Sequence, residues 1–371
     1  MQFIDLGAQQ KRIRSNIQKR ICDVLDHGKY IMGPEVYELE SKLAEYVGRK
    51  HCVSCSSGTD ALLIPLMAKN IGVGDAVITT PFTYIATAEV IKLLGATPIF
   101  VDIYTDTFNI NPEGIPNAIK HAKELGLKTK AIIPVDLFGL PARFRLIEEY
   151  SLKYDLFLIE DAAQGFGGSI RGKKAGSFGH CSSTSFFPAK PLGCYGDGGA
   201  IFTDDDELAT IMRSIRAHGG GEDKYDNVRL GINGRLDTIQ AAILLEKLTI
   251  FEEEVKLRNQ IALFYLNNLK SSFKNPFVPN KYKSCWAQFS IVANSKVEKE
   301  ACTNLLNING IPTMNYYPIP LHLQKVFSYL GYKKTQFTIT EKISDTVFSI
   351  PMHPYLKESD QSIIVDIINE F

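Results

Sequence analysis

The sequence predicts an α/β protein, with a mainly parallel sheet wrapped by helices and a smaller α+β domain after it. Along the first half of the chain, apolar strand-like runs alternate with helical periodicity. The strand-like runs are 76–80, 97–103, 131–135 and 156–160, and the helical patterns are 59–70, 84–95, 112–125 and 143–153. This alternation is typical of parallel sheets. With 371 residues, of which 45% are apolar, the chain can form a large core and two domains.

Later segments extend the sheet and mark the second domain. Further elements are expected in this order: strands at 182–187 and 200–203, a long helical region at 235–268, a strand at 284–292 and a helix at 297–308. We expect a large domain over residues 1–250, whose N-terminal helix can pack on the small domain, and a small domain over 251–371. The polar run 219–225 predicts a loop, either beside the active site or on the plain surface.

Composition argues against several classes of partner. The 41 basic and 41 acidic residues balance, and no long basic run carries interleaved aromatic residues. We therefore expect no nucleic-acid partner. The first residues lack the charged-then-apolar order of a signal peptide, and no apolar run reaches membrane-spanning length, so the expectation is a cytoplasmic enzyme without a membrane partner.

The cysteines and histidines do not predict a metal site. The seven cysteines are scattered and odd in number, which does not suit a disulfide framework. Cys52 and Cys55 have the spacing of a redox or zinc pair, but no second pair accompanies them. The seven histidines show no ligand spacing. The sequence therefore predicts no metal.

Lys190 is a candidate covalent anchor for a cofactor. It lies in Ser185-Phe-Phe-Pro-Ala-Lys190-Pro-Leu-Gly-Cys-Tyr-Gly-Asp-Gly-Gly-Ala200, between an apolar strand and a glycine-rich turn. A lysine that attacks an aldehyde must lose its proton near neutral pH, and apolar surroundings promote that loss. Phe186, Phe187, Pro188 and Leu192 are expected to supply them. The alternative is a surface lysine in a loop rich in proline and glycine.

Asp161 ends the apolar run that begins at Leu156, as expected of a buried parallel strand. Ligands of open α/β sheets bind at the carboxyl ends of the strands. Glu160 and Asp161 are adjacent and should face opposite sides of the sheet, so only one can serve a given pocket. Asp161 is the candidate, because an aspartate can keep a pyridine nitrogen protonated. The alternative is a carboxylate that only caps the strand.

Two further segments suggest a phosphate site and an aromatic platform. Cys55-Ser-Ser-Gly-Thr-Asp-Ala-Leu62 leads small residues into an apolar run, which predicts a helix start that can bind an anion. Its alternative is an ordinary N-cap by Ser57 or Thr59. Tyr84 stands where a strand meets a helix and could stack on a flat ring, although an aromatic residue there also fits the core.

Together these motifs resemble the DegT/StrS group of nucleotide-sugar aminotransferases, which depend on pyridoxal 5′-phosphate (PLP) and have fold type I. The resemblance extends from Phe3-Ile-Asp-Leu to Pro351-Met-His-Pro-Tyr. It rests on Ser-Gly-Thr-Asp-Ala-Leu, Glu-Asp-Ala-Ala-Gln and the segment around Lys190. It implies a seven-stranded, mainly parallel sheet and a cofactor that alternates between PLP and pyridoxamine 5′-phosphate (PMP).

The resemblance also implies a role for each matching residue. Lys190 would carry PLP covalently and then shuttle protons, and Asp161 would pair with the pyridine nitrogen. The remaining cofactor residues would be Gln164 at the phenolic oxygen, Tyr84 stacked on the ring, Gly58, Thr59 and Ser185 at the phosphate, and Asn233. Asn233 and Arg235 match a pair that reaches into the neighbouring subunit, which implies a homodimer with shared active sites. Asn233 also precedes a helical pattern and could be only its N-cap.

The resemblance is greatest to aminotransferases that act on the 3-keto carbon of UDP-2-acetamido-2-deoxy-3-oxo-glucuronate, with L-glutamate as donor. It assigns substrate binding to Tyr30, Arg235, Tyr316, Tyr317 and His322, with Arg235 on the uronate carboxylate. The chain has Tyr316-Tyr317 where a His-Tyr pair is usual, so a dTDP- or UDP-linked keto-6-deoxyhexose is the second interpretation. Relatives that deoxygenate sugars replace the anchoring lysine by histidine, and others are proposed as regulators. Lys190 argues against deoxygenation. The intact set of Asp161, Gln164, Ser185 and Lys190 argues against a regulator.

Overall fold

The computed structural model describes residues 1–223, 225–270 and 272–371. Lys224, within the polar run 219–225, lies outside the described residues. The helices are α1 (Leu6–His27), α2 (Pro34–Val47), α3 (Gly58–Ala68), α4 (Ala86–Leu93), α5 (Ile115–Glu124), α6 (Phe144–Lys153), α7 (Asp206–Arg216), α8 (Thr238–Asn268), α9 (Lys296–Ile308), α10 (Thr338–Thr346) and α11 (Glu358–Ile368). Among these described helices, none combines the length and the apolar character that crossing a bilayer requires.

Twelve strands form three sheets among the described residues. They are β1 (His51–Cys55), β2 (Asp75–Thr79), β3 (Thr97–Phe100), β4 (Lys128–Ile132), β5 (Phe157–Asp161), β6 (Ser169–Ile170), β7 (Lys173–Lys174), β8 (Cys181–Ser185), β9 (Gly199–Thr203), β10 (Tyr282–Lys283), β11 (Phe289–Val292) and β12 (Val347–Ile350). The strands predicted up to residue 203 agree with these bounds to within three residues at either end.

The main sheet has seven strands in the order β1-β9-β8-β5-β4-β2-β3. Strand β9 runs antiparallel to both of its neighbours, and the other pairs of neighbouring strands in this sheet are parallel. This confirms the predicted, mainly parallel seven-stranded sheet. Because parallel strands end at one edge, Asp161 of β5 and Ser183 of β8 stand side by side in register. The chain leaves this edge toward Lys190.

Helices cover both faces of the main sheet, which explains why its central strands are apolar throughout. One face packs against α3, α4 and α7, in a core that includes Leu62, Val90 and Met212. The opposite face packs against α5 and α6 at one end. At its other end, α2 and α8 pack around Phe202 and Leu244.

Local sequence signals set where the helices begin and end. Asp205 caps α7 by accepting a hydrogen bond of 3.0 Å from the Leu208 backbone N–H. Acidic residues occupy the first turn of α7 and basic residues its last turn, as the helix dipole favours. Asp237, not Asn233, is the N-cap position of α8, so the N-cap interpretation of Asn233 is wrong.

A second core forms around the C-terminal part of the chain. The end of α8, β11, β12, α9 and α11 bury Tyr265, Phe289 and Ile364 among other residues. The boundary expected at residue 250 falls inside α8, which contributes side chains to both cores, and the division at that residue stays a prediction. Helix α1 packs along α8, with Ile13 and Ile17 against Ile243.

The strand expected over 284–292 is shorter in the structure. Only Phe289–Val292 pairs with β12, while Tyr282–Lys283 pairs with β6. Between them Trp286 has a φ of 52°, in the left-handed region that interrupts an extended strand. The side-chain pattern does not reveal this backbone kink.

Candidate active site

Asp161 ends β5 with its side chain almost completely buried, at 4% exposure. Its Oδ2 accepts a hydrogen bond of 2.8 Å from Thr87 Oγ1, and its Oδ1 accepts one of 3.2 Å from the Ala163 backbone N–H. Burial raises the pKa of the Asp161 carboxyl, and these hydrogen bonds together with nearby Lys190 oppose that rise. The site therefore holds a carboxylate in surroundings that favour a positively charged partner.

Glu160 serves the opposite side of the sheet. Its carboxylate accepts hydrogen bonds from the backbone N–H groups of Gly176, at 3.0 Å, and Phe178, at 2.8 Å. The alternation of side chains along β5 thus separates the two adjacent acids. Glu160 has a structural role, and Asp161 is the carboxylate on the side of Lys190.

Backbone hydrogen bonds close the turn that carries Lys190. The Cys194 N–H donates to Phe186 O at 2.8 Å, and the Lys190 N–H donates to Phe187 O, also at 2.8 Å. A Cβ on Gly193 would lie 2.6 Å from Phe187 O, so the turn requires glycine there. The Cys194 thiol donates to Phe186 O at 3.0 Å, which places Cys194 beneath the turn as a packing residue.

The Lys190 amine has the electrostatics of an anchoring group. Burial lowers the pKa of its ammonium, and the charges of Asp161 and Cys285 oppose that effect. Phe186 and Leu192 are buried beside the turn as expected, but Phe187 is 52% exposed and does not supply apolar surroundings within this chain. A lowered pKa increases the fraction of the neutral amine, which is the form that attacks an aldehyde.

The start of α3 lies against the strand that leads to Lys190. Ser57 is the N-cap and accepts a hydrogen bond of 3.0 Å from the Asp60 backbone N–H. A Cβ built on Gly58 would lie 2.5 Å from the Ser185 Cβ, so Gly58 permits this close approach. The first N–H groups of a helix lack intrahelical partners and attract anions. Gly58, Thr59 and Ser185 therefore meet at one place, as the sequence predicts.

Gln164 makes two hydrogen bonds that fix its side chain. Its Oε1 accepts from the Phe138 backbone N–H at 3.0 Å, and its Nε2 donates to the Tyr317 hydroxyl at 3.0 Å. Tyr317 was expected to bind the substrate, yet its hydroxyl accepts a hydrogen bond from Gln164, which was expected to bind the cofactor. Tyr84 is 58% exposed, so the alternative that placed it in the core is wrong, and its ring is free to stack on a ligand.

Asn233 and Arg235 lie in a segment beside the start of α3. Gly234 O accepts a hydrogen bond of 3.0 Å from the Ser56 backbone N–H, and Arg235 Nη2 donates to Asn233 Oδ1. Asn233 is exposed, and Arg235 is half-buried. Tyr30 O accepts a hydrogen bond of 2.9 Å from the Thr238 backbone N–H, and its exposed ring lies near the start of α8.

The two remaining candidates differ in their surroundings. Tyr316 is half-buried beside Tyr317, with ring centroids 5.8 Å apart. His322 is only 2% exposed, its Nε2 lies 3.2 Å from Glu341 Oε1, and its ring packs edge-on against Phe337. The structure therefore shows His322 turned into the protein, where it supports the segment after Tyr317 and makes no open surface for a sugar.

Sequence reasoning did not identify Thr87 or the Phe138 backbone N–H as parts of the site. Thr87 follows Tyr84 by three positions, about one helical turn. A hydroxyl at that spacing from a candidate stacking residue is the pattern that could have identified it. Phe138 could not be found from its residue type, because its contribution is a backbone group in a turn with a φ of 57°.

These residues fit the cofactor that the sequence suggests. The buried carboxylate of Asp161 suits a pyridine nitrogen, the helix start at Gly58 suits a phosphate, and the amine of Lys190 suits an aldehyde. A mainly parallel sheet with these groups at one edge defines the class of fold type I PLP-dependent proteins.

Comparison with known proteins identifies the family. Residues 11–369 match the model of the DegT/DnrJ/EryC1/StrS aminotransferase family. The chain belongs to this family, which confirms the resemblance and, with it, PLP as the cofactor.

Three curated relatives show the range of names within the family. The chain is 48% identical to a UDP-2-acetamido-2-deoxy-3-oxo-D-glucuronate aminotransferase of Pseudomonas aeruginosa, over 98% of each chain. It is 41% identical to a pleiotropic regulatory protein of Geobacillus stearothermophilus, over 100% of this chain and 98% of the relative. It is 37% identical to a dTDP-3-amino-3,6-dideoxy-alpha-D-galactopyranose transaminase of Aneurinibacillus thermoaerophilus, over 100% and 99%.

Solved structures agree with the fold. An aminotransferase of the same family from Brucella abortus superposes with a TM-score of 0.97 at 49% identity, covering 100% of this chain and 99% of the other. NtdA from Bacillus subtilis, solved with bound cofactor PMP, gives a TM-score of 0.89 at 29% identity, covering 99% and 82%.

Proposed function

We propose that this protein transfers the amino group of L-glutamate to a keto carbon of a nucleotide-linked sugar. The observation that carries the proposal is the pair formed by Lys190, whose pKa is lowered by burial, and the buried carboxylate of Asp161 beside it. Both lie at the edge of the sheet where ligands of α/β proteins bind. The family match supports amino transfer as the reaction.

Each residue of the site has a separate task in this reaction. PLP, when bound, supplies an aldehyde for amines and a ring that withdraws electrons from the carbon that bears the nitrogen. Lys190 would hold the cofactor, Asp161 would keep a proton on its ring nitrogen, and the start of α3 would bind its phosphate. The Nζ of Lys190 would also move protons, taking one from the Cα of glutamate and later delivering one to the sugar carbon that receives the amine.

The substrate that we propose is UDP-2-acetamido-2-deoxy-3-oxo-glucuronate, with the amine added at C3. The relative of that name supports it at 48% identity. Arg235 is half-buried and its Nη2 donates to Asn233 Oδ1, so further N–H groups of the guanidinium remain to pair with a carboxylate. Tyr316, which stands where histidine is usual, keeps a dTDP- or UDP-linked keto-6-deoxyhexose as the second candidate, supported by the relative from Aneurinibacillus thermoaerophilus.

The assembly and the cellular setting belong to the same proposal. Exposed Tyr30 and Asn233, together with Arg235, would complete the site of a second copy in a homodimer. The seven cysteines are free thiols, which suits a reducing compartment such as the cytoplasm. The aminosugar would enter surface polysaccharide, as in lipopolysaccharide or O-antigen.

A half-reaction assay tests the function and the substrate together. The PLP-loaded protein is treated with glutamate, which should bleach its visible absorption, and the donor is then removed. A panel of UDP- and dTDP-linked 3-keto and 4-keto sugars is added while that absorption is followed. Recovery with the 3-keto uronate alone supports the proposed substrate, whereas recovery only with a 6-deoxy or 4-keto sugar replaces it. A visible absorption that changes neither with glutamate nor with any of the sugars would contradict amino transfer.

A further inference from the structure

The hydroxyl of Tyr317 accepts a hydrogen bond from the side-chain amide of Gln164, although the two residues are 153 positions apart in the sequence. We propose that Tyr317 is a positioning residue, which holds the Gln164 amide so that its N–H group faces the phenolic oxygen of PLP. The inference rests on the proposed function only in requiring that PLP binds. It replaces the direct substrate contact expected of Tyr317 by an action through Gln164.

The orientation of the Gln164 amide follows from its two partners. The Phe138 backbone N–H can only donate, so the amide oxygen must face it, at 3.0 Å. The amide nitrogen therefore faces Tyr317, at 3.0 Å from the hydroxyl oxygen. The nitrogen carries two hydrogens and Tyr317 accepts only one of them, so one N–H group remains for a ligand.

The two partners of Gln164 are themselves held in place. The turn of Phe138 is fixed by the Leu137 N–H, which donates to Asn109 Oδ1 at 2.8 Å. The Tyr317 ring packs edge-on against Phe82, with centroids 5.9 Å apart, and is partly buried against the cluster that contains Phe138. The amide is thus clamped between two rigid groups that come from distant parts of the chain.

The Tyr317 hydroxyl stays protonated in these surroundings. Burial raises the pKa of its phenol, the hydrogen bond from Gln164 opposes that rise, and the charge of Asp161 adds to it. Tyr316 and Tyr84 are the other titratable groups near it. A protonated hydroxyl still accepts the Gln164 hydrogen bond through its oxygen.

Without Tyr317 the amide would lose the acceptor that fixes its nitrogen. The amide would then pivot about its hydrogen bond to the Phe138 N–H, and its own N–H group would no longer be held toward the electron-rich phenolic oxygen of PLP. An oxygen that loses a hydrogen-bond donor becomes more basic. The visible-absorbing form of lysine-bound PLP, which carries a proton next to that oxygen, would then persist to higher pH.

The test is a pH titration of the visible absorption of PLP-loaded Tyr317→Phe against the wild type, without any sugar. We expect the midpoint to rise by about one pH unit, as for the loss of one hydrogen bond to a charged oxygen. Tyr332→Phe is the matched control, since its hydroxyl accepts from the Phe100 N–H at 3.4 Å in a different cluster. That control should leave the midpoint unchanged.

A double variant separates positioning from direct contact. If Tyr317 acts through Gln164, then Gln164→Ala and Gln164→Ala/Tyr317→Phe should have the same midpoint. Additive shifts, an unchanged midpoint in Tyr317→Phe, or loss of PLP uptake by that variant would each overturn the proposal. A wild-type protein without a visible band would instead contradict the proposed function, so the two failures are distinguishable.

Discussion

Thr87 Oγ1 donates a hydrogen bond of 2.8 Å to Asp161 Oδ2, which ties helix α4 to the carboxyl end of strand β5. The bond joins the element that carries the candidate acid to the helix that follows Tyr84. It also stabilises the ionised form of the Asp161 carboxyl, whose pKa is raised by burial. The hydroxyl of Thr87 is thus part of the electrostatics of the site.

The Thr87→Val variant should bind PLP about tenfold more weakly, because one hydrogen bond to a charged group is lost. Since Thr87 lowers the pKa of Asp161, its removal should raise that pKa and move the acidic limb of the pH–activity profile to higher pH. Equilibrium titration of the apoprotein with PLP and a pH profile measure the two effects.

Thr79→Val is the control for that variant. Thr79 is also buried in the main sheet, and its Oγ1 donates to Ile133 O at 2.9 Å, away from Asp161. Its loss should lower the free energy of unfolding without changing PLP affinity. Equal losses of PLP affinity in both variants would show that Thr87 acts only through stability.

Gly58→Ala should disrupt the contact between the start of α3 and β8, because the added Cβ would lie 2.5 Å from the Ser185 Cβ. We expect the free energy of unfolding to fall by about 1–3 kcal/mol, as for other overpacked sites, together with a clear loss of PLP affinity. Thermal unfolding and PLP titration provide the measurements.

Removing the Ser185 side chain tests whether its clash with the added Cβ causes the loss of stability in Gly58→Ala. Ser185→Gly in the Gly58→Ala background should restore stability, while the Ser185 hydroxyl remains lost to the cofactor. Gly7→Ala is a neutral comparison, since its Cβ would have ordinary contact with Asp5 at 3.4 Å. A Gly58→Ala protein with normal stability and normal PLP affinity would refute the close approach.

The sequence was sufficient for the parts of the fold that depend on local pattern. The apolar run of β5 and the glycines after Lys190 indicate a strand and a tight turn by themselves, and parallel strands bring their carboxyl ends together. The bonds from Thr87 to Asp161 and from Tyr317 to Gln164 join residues 74 and 153 positions apart. No local pattern predicts such contacts, because they depend on how helices and loops pack in three dimensions.

The buried side chain of His353 should make the free energy of unfolding depend on pH. Its ring is 3% exposed, and burial together with the Arg258 charge lowers its pKa to about 4. The folded state therefore keeps the ring neutral, whereas the unfolded chain takes up a proton near its ordinary pKa of about 6.5. This contribution to stability is present above that value and is lost as the pH falls toward about 4.

Denaturation at a series of pH values should show a loss of about 3 kcal/mol across that window from His353. A His353→Gln variant should have a flatter dependence, whereas His218→Asn, at an exposed histidine, should follow the wild type. Parallel curves for the wild type and His353→Gln would contradict the assignment.

The most direct test of the catalytic role of Lys190 is a single turnover of PLP-loaded protein with glutamate, with 2-oxoglutarate measured as product. Lys190→Ala should keep the fold, because the hydrogen bonds that close its turn come from the backbone. The variant should form 2-oxoglutarate at least about a thousandfold more slowly, while Lys256→Ala, at an exposed lysine of α8, should match the wild type. Formation of 2-oxoglutarate at the wild-type rate by Lys190→Ala would contradict the account.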